Sequence, residues 1–185
     1  HFDTNENVDL DKLVFKVNTL LPEDIVVHRL IDVPEGSHAR FDAVSRTYEY
    51  YIHQRKSPFL TDISYYNARR LDLEAMNEAC NCLLNYADFT SFSKVNTETK
   101  TNNCDIKKAV WKVEGESIVF EITANRFLRN MVRAIVGTMI EVGVGKVTID
   151  QFEKIIENKD RGKAGVSVPG HGLFLTNVSY PYIKD

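Results

Sequence analysis

A chain of 185 residues, 43% hydrophobic and 26% charged, is long enough and apolar enough to bury a core, which excludes disorder as a description of the whole. No apolar run nears the roughly 18 residues needed to span a bilayer, and no charged-then-apolar signal segment opens the chain. The net charge of −3 is unevenly spread, with residues 1–36 summing to −5 and residues 37–185 to +2.

Leu10, Leu13, Val14 and Val17 recur at one-faced helical spacing, predicting a helix over 9–20 that Pro22 ends. Residues 24–33 (DIVVHRLIDV) read as a strand stopped by Pro34-Glu35-Gly36, and 45–53 (SRTYEYYIH) as a second strand broken at Ser57-Pro58. An amphipathic helix is predicted over 73–86. Residues 87–104, polar and rich in threonine and asparagine after Phe89 and Phe92, read as a long exposed loop. Strands over 106–113 and 117–124 flank the turn Glu114-Gly115-Glu116. The longest helix is predicted over 126–142, with Asn125 as its N-cap and Gly143 just past its end. A helix over 149–158 capped by Thr148, a glycine-rich loop over 160–172 and a strand over 173–180 complete the chain. Adjacent strand pairs separated by helices predict an α+β fold, a mixed or antiparallel sheet backed by helices.

The three cysteines, Cys80, Cys82 and Cys104, do not have the spacing of a zinc pair and read as reduced thiols in a reducing cytosol. Residues 89–112 hold five lysines against Glu98 and Asp105. Such a strip can meet a phosphate backbone, but on charge alone ordinary solvated lysines explain it as well.

Three clusters could carry chemistry. Arg126, Arg129 and Arg133 are three and four apart, so on one continuous helix they share a face. The first two would sit at the positive end of the helix dipole, a poor place for cations unless an anion meets them. Arg133 is embedded in the apolar run MVRAIV, where a guanidinium either snorkels to the surface or pairs with a carboxylate. Arg46, Tyr48 and Tyr50 share one face of a strand, fit for base stacking and phosphate contact or simply for a half-buried sheet. Gly170-His171-Gly172-Leu173 is a tight turn into the last strand.

In order and wording, HARFDAVSRTYEYYI, DFTSF, ITANRFLRNMVRAIVGTMIEVG and VPGHGLFLTNVSYP closely resemble the tRNA pseudouridine synthases of the TruA family, along nearly the whole chain. The resemblance implies a pseudouridine-synthase-like fold, an isomerase acting on tRNA uridines of the anticodon stem-loop, no metal and no organic cofactor. It also implies a cytoplasmic homodimer. Tyr48 would lie against the target base, and Arg133 would pair with the nucleophilic aspartate and keep it ionised. Gly172-Leu173 would pack beneath the site. Arg40, Arg46, Lys94, Arg126 and Arg129 are expected to contact the RNA backbone, on charge and location rather than motif. One departure matters. The family's aspartate stands in a Gly-Arg-Thr-Asp stretch, and these 185 residues contain none. Together with His1 in place of an initiator methionine, this leads us to expect a chain that starts inside a longer protein and is inactive by itself. Residues 1–36 would be the tail of a first domain and 37–185 the second. A non-catalytic RNA-binding module and a purely structural domain are the competing readings.

Overall fold

The sheet forms around one strand, whose sequence alternates between two environments. A computed structural model describes residues 1–4, 8–95 and 99–183. Residues 5–7 of the leading segment and 96–98 of the expected loop lie outside these. Contacts divide the chain into two units, His1–Ala43 with the residues from Tyr180 onward, and Val44–Ser179.

In the larger unit the central strand is β1 (Ser45–His53), with Tyr50 and Ile52 fully buried on one face and Glu49 and Tyr51 half-buried on the other. Antiparallel to it run β4 (Ser117–Ala124) on one side and β5 (Leu173–Ser179) on the other. The two-residue strand β2 (Tyr65–Tyr66) pairs parallel with the end of β1, and β3 (Ile106–Glu114) pairs antiparallel with β4. The sheet is therefore mixed. The hairpin β3–β4 turns at Gly115, whose φ of 59° suits a residue without a side chain.

Helices α2 (Leu73–Leu83), α3 (Met131–Gly143) and α4 (Ile149–Glu157) complete the larger unit, as expected of an α+β fold. Eleven of the thirteen residues of α3 are buried, so it is the central core helix, and only Arg133 and Glu141 reach outward from it. Trp111 on β3 stacks on Phe120 of β4 at 4.8 Å and donates its indole N–H to Met139 Sδ of α3. Burial of each such large side chain contributes about 1.5–3 kcal/mol. β3 is an edge strand, and Asn77 of α2 occupies its free side: the amide donates to Trp111 O and accepts from Trp111 N. That pairing blunts an edge that would otherwise be open to another strand. Thr148 and Gln151 form a reciprocal capping box at the start of α4.

Four expectations need correction. Residues 24–33 form no strand. A strand needs a partner ladder, and none pairs with them among the described residues. Instead Asn18 brackets Val27, accepting from its N–H and donating to its carbonyl, both at 2.8 Å. Asn18 belongs to α1 (Leu10–Leu20), in the smaller unit; α1 has no buried residue, and Phe15 and Leu20 lie exposed. Second, residues 87–104 are not simply an exposed loop. Phe89 and Phe92 are fully buried around a short 3-10 turn, Thr90–Phe92, and Cys104 is buried as well. Asp88 holds this turn by accepting from the backbone and hydroxyl of Thr90. Third, α2 ends at Leu83 and not at Tyr86. Fourth, the long helix begins at Met131 and not at Arg126.

Lys108 and Lys112, part of the basic strip, are engaged by acids across the outer face of the sheet. Lys108 meets Glu121 at 2.6 Å, and Lys112 reaches Glu114, Glu121 and Glu49 at 2.6, 3.2 and 3.4 Å. The hydrogen-bonded Lys108 ammonium holds the Glu121 carboxyl below its ordinary value of 4.5; partial burial opposes this and Lys112 adds to it. A carboxyl whose folded pKa is depressed stabilises the fold above the unfolded pKa, and that contribution fades as pH falls through the lower, folded value. Glu121→Gln is thus expected to cost about 0.5–1 kcal/mol at pH 7. Urea titrations of the two proteins should converge as the pH drops well below 4.5.

Candidate active site

The helix that carries Arg133 starts later than its apolar pattern suggests. Asn125 does not cap it, because this residue closes the end of the hairpin: its N–H donates to Asp105 O and its side chain accepts from Asp105 N. Leu128 then turns into the core, and Asn130 takes the left-handed conformation at φ 69°, which an asparagine tolerates better than most residues. α3 begins at Met131. Arg126 and Arg129 therefore precede the helix and share no helical face with Arg133. The expectation that they sit on its positive dipole end is replaced by a sharper one, since Arg133 itself occupies the first turn.

Arg133 is held by the loop that runs back across α3. Its Nε donates to Val168 O at 2.6 Å, and Val168 N returns a bond to Arg133 O at 3.2 Å. Gly170 lies against the guanidinium, where a Cβ would make only ordinary van der Waals contact, 3.9 Å from Arg133 Cζ and Nη1. The loop can approach this closely only through paired glycines. A Cβ on Gly137 would lie 1.9 Å from Val166 O, and one on Gly165 would lie 2.9 Å from the Thr138 backbone. Thr138 Oγ1 donates to Ala134 O and accepts from Gly165 N. Asn130 and Arg161 both donate to Ser167 Oγ, at 2.6 and 2.8 Å.

No ion pair engages Arg133 among the described residues. Glu141, the other outward residue of α3, is already paired with Arg69 and Lys146. A half-buried guanidinium in the first turn of a helix combines its own charge with the positive end of the dipole. That combination favours an anion in front of it and would keep a carboxyl there ionised.

β1 approaches the same loop. Tyr50, two residues beyond Tyr48 on the inner face, donates its hydroxyl to Pro169 O at 2.8 Å. Burial pushes its phenol well above the ordinary range, with Tyr65 adding to this and Arg133 opposing it. Tyr48 is half-buried, its ring edge-on to Phe127 with centroids 5.1 Å apart. Its neighbour Arg46 donates to Asn125 O. Arg126 donates to Thr101 O, and Lys94 N donates to Arg129 O. Thus Arg46, Tyr48, Lys94, Arg126 and Arg129 gather around the turn 125–130, immediately ahead of Arg133. Arg40 lies in the smaller unit, its guanidinium 5.7 Å from the ring centroid of Phe41.

Sequence reasoning missed the supports of this site: Tyr50 as a ligand of the loop, Asn130, Ser167 and Arg161. The one available signal was Gly137, a glycine inside a helix interior, which marks close backbone approach. Among the described residues no group of three or more His, Cys, Asp or Glu is gathered to hold a metal ion, and no helix is long and apolar enough to cross a membrane.

The model of the tRNA pseudouridine synthase family matches residues 79–181. A protein of Parabacteroides distasonis named tRNA pseudouridine synthase A is 58% identical over 182 residues, covering 98% of this chain and 72% of the relative. The Bacteroides fragilis protein of the same name is 54% identical over 183 residues (98% and 73%). That of Bacillus subtilis is 38% identical over 182 residues (97% and 74%).

Proposed function

Because the chain belongs to the tRNA pseudouridine synthase family, we propose that it supplies the arginine and tyrosine half of an active site that isomerises uridine in tRNA. The reaction breaks the bond between ribose C1′ and uracil N1 and forms one from C1′ to C5. The C5 proton is released and N1 gains one, so the product is an isomer of the substrate and no oxidant or reductant is consumed.

The single observation that carries this reading is Arg133, a half-buried cation in the first turn of α3, anchored by Val168 and facing no carboxylate among the described residues. An aspartate from a Gly-Arg-Thr-Asp stretch, which residues 1–185 do not contain, would meet it. The guanidinium would keep that aspartate ionised and oriented for attack. Tyr48 would stack on the uracil once it has left its neighbours. Arg40, Arg46, Lys94, Arg126 and Arg129 would take backbone phosphates.

The further parts of the reading rest on the family resemblance. The target uridines lie in the anticodon stem-loop, the working protein is a cytoplasmic homodimer, and residues 1–36 and 37–185 belong to its first and second domains.

Release of tritium from tRNA carrying [5-³H]uridine tests the proposal, because only formation of the C1′–C5 bond displaces that hydrogen. The full-length protein is expected to release it, and residues 1–185 alone are not. Release by the 185-residue chain would place the nucleophile within it and overturn the reading.

A further inference from the structure

The loop that holds Arg133 has a second side. Beyond Val168 and Pro169 it forms one wall of a cleft of about 510 Å³ at the far end of β1, whose other walls are the turn after His53 and strand β2. That volume lies within the roughly 300–1,000 Å³ of small-ligand sites. The lining is dominated by flat or apolar groups, namely His53, Tyr65, Tyr66, Pro169 and His171, with Lys56 exposed at the rim. Gly172 allows the wall to come this close: a Cβ there would stand 2.9 Å from Tyr51 O and 3.3 Å from Tyr65 N.

Two polar groups are sunk into this lining. His53 is 4% exposed and Ser64 is 2% exposed, and they bond to each other, His53 Nδ1 to Ser64 Oγ at 3.0 Å. Hydrogen bonds among the described residues engage the imidazole only through Nδ1. Nε2 is not a buried atom without a partner, so this side of the ring is open to solvent and available to a ligand group that enters the cleft. The Tyr66 ring stands beside it at 5.5 Å, tilted by 35°.

We propose that this cleft holds one unpaired nucleobase of the RNA, a neighbour of the target uridine; this rests on the function proposed above. Three features fit that occupant together. Aromatic and proline faces provide a stacking surface that any base can use. The imidazole edge offers a hydrogen-bonding partner to a base edge, and Lys56 with His171 lies where the attached phosphate would emerge. A duplex cannot enter a slot of this size, so the occupant is a splayed single-stranded base, the form in which RNA bases are most often read. Shared use of one loop explains the economy of the arrangement: Val168 O holds Arg133, Pro169 O holds Tyr50, and the next residues line the cleft. The base bound there lies against the same segment that orients the active-site arginine.

The test uses the full-length protein and hexauridylate as the probe, with Kd read by fluorescence anisotropy and the contact located by ultraviolet cross-linking and peptide mapping. Lys56→Ala and Tyr66→Leu are each expected to weaken binding about tenfold, and the cross-link is expected in the peptide that contains Tyr65 and Tyr66. Lys56 is exposed, so its variant keeps the fold, and melting temperatures identify any loss in Tyr66→Leu that comes from unfolding. Unchanged Kd in Lys56→Ala, or cross-links confined to other peptides, would overturn the proposal. Sedimentation provides the other decisive outcome. Variants that bind the probe normally but run as a smaller species would assign the cleft to a second copy of the chain instead. None of these readouts depends on isomerisation, so failure here is distinguishable from failure of the tritium-release test.

Discussion

Replacing Arg133 with leucine, in a protein that also carries the proposed aspartate, is expected to lower kcat for pseudouridine formation by roughly 10²–10³-fold, with little change in KM for tRNA. Removing one partner of a desolvated, hydrogen-bonded charge pair costs about 2–5 kcal/mol, and each 1.36 kcal/mol is about a factor of ten in rate. Two losses combine. The aspartate proposed to face Arg133 would lose the cation that keeps it ionised, and Val168 O would lose the 2.6 Å bond from Nε. Arg133→Lys separates these contributions. Lysine retains the charge but has no Nε donor and no planar fork, so it should recover part of the rate while leaving Val168 O unpaired. The fold should tolerate both changes, since the guanidinium is only half-buried and the helix around it is apolar. A loss that falls on KM instead, with kcat unchanged, would assign Arg133 to RNA binding.

Gly137→Ala should be the most damaging small substitution in the protein. In a typical helix alanine is favoured over glycine by about 1 kcal/mol, so an ordinary site would gain stability. Here the new methyl would stand 1.9 Å from Val166 O and 3.0 Å from Val166 C, both backbone atoms that no side-chain rotation can move away. The loop must lift from α3, taking with it the bonds at Gly165, Ser167 and Val168. We expect a loss of about 2–3 kcal/mol, which is roughly 5–10 °C in melting temperature for a chain of this size. Activity should fall further than stability explains, because Val168 no longer fixes Arg133. Gly36→Asn makes a suitable control. Its φ is +78° with no neighbour near a built Cβ, and asparagine is among the residues most tolerant of that conformation. A melting temperature for Gly137→Ala equal to the parent's would contradict the close packing of loop on helix.

The elements legible in the sequence are those whose signal is local. β1 is rich in β-branched and aromatic residues and its burial alternates over Glu49–Ile52, the β3–β4 hairpin announces its turn with Gly115, and α4 carries its own capping box at Thr148 and Gln151. Each of these is decided by side chains within a few positions of one another. The errors fall where a distant partner decides. Residues 24–33 have strand composition, but composition cannot supply a neighbouring ladder. Phe89 and Phe92 sit in a polar stretch that reads as exposed until the core they enter is known. The apolar run from Phe127 into α3 reads as one helix, and only the contacts of Asn125 with Asp105 and of Phe127 with Tyr48 show that it is first a turn.

The candidate site divides in the same way. Arg133 stands out as a cation inside an apolar run, whereas Tyr48 is marked only by the resemblance of its motif, since the residues of its strand fit a half-buried sheet as well. The family follows from the same residues, since the order of separated motifs survives without any knowledge of their contacts. What only the tertiary structure decides is how Arg133 is held. Arg133, Gly137, Gly165 and Val168 lie up to 35 positions apart and meet because two glycines let a backbone rest directly on a helix. A pattern read along the chain records what each residue can do, whereas close approach depends on which distant residue leaves room for it.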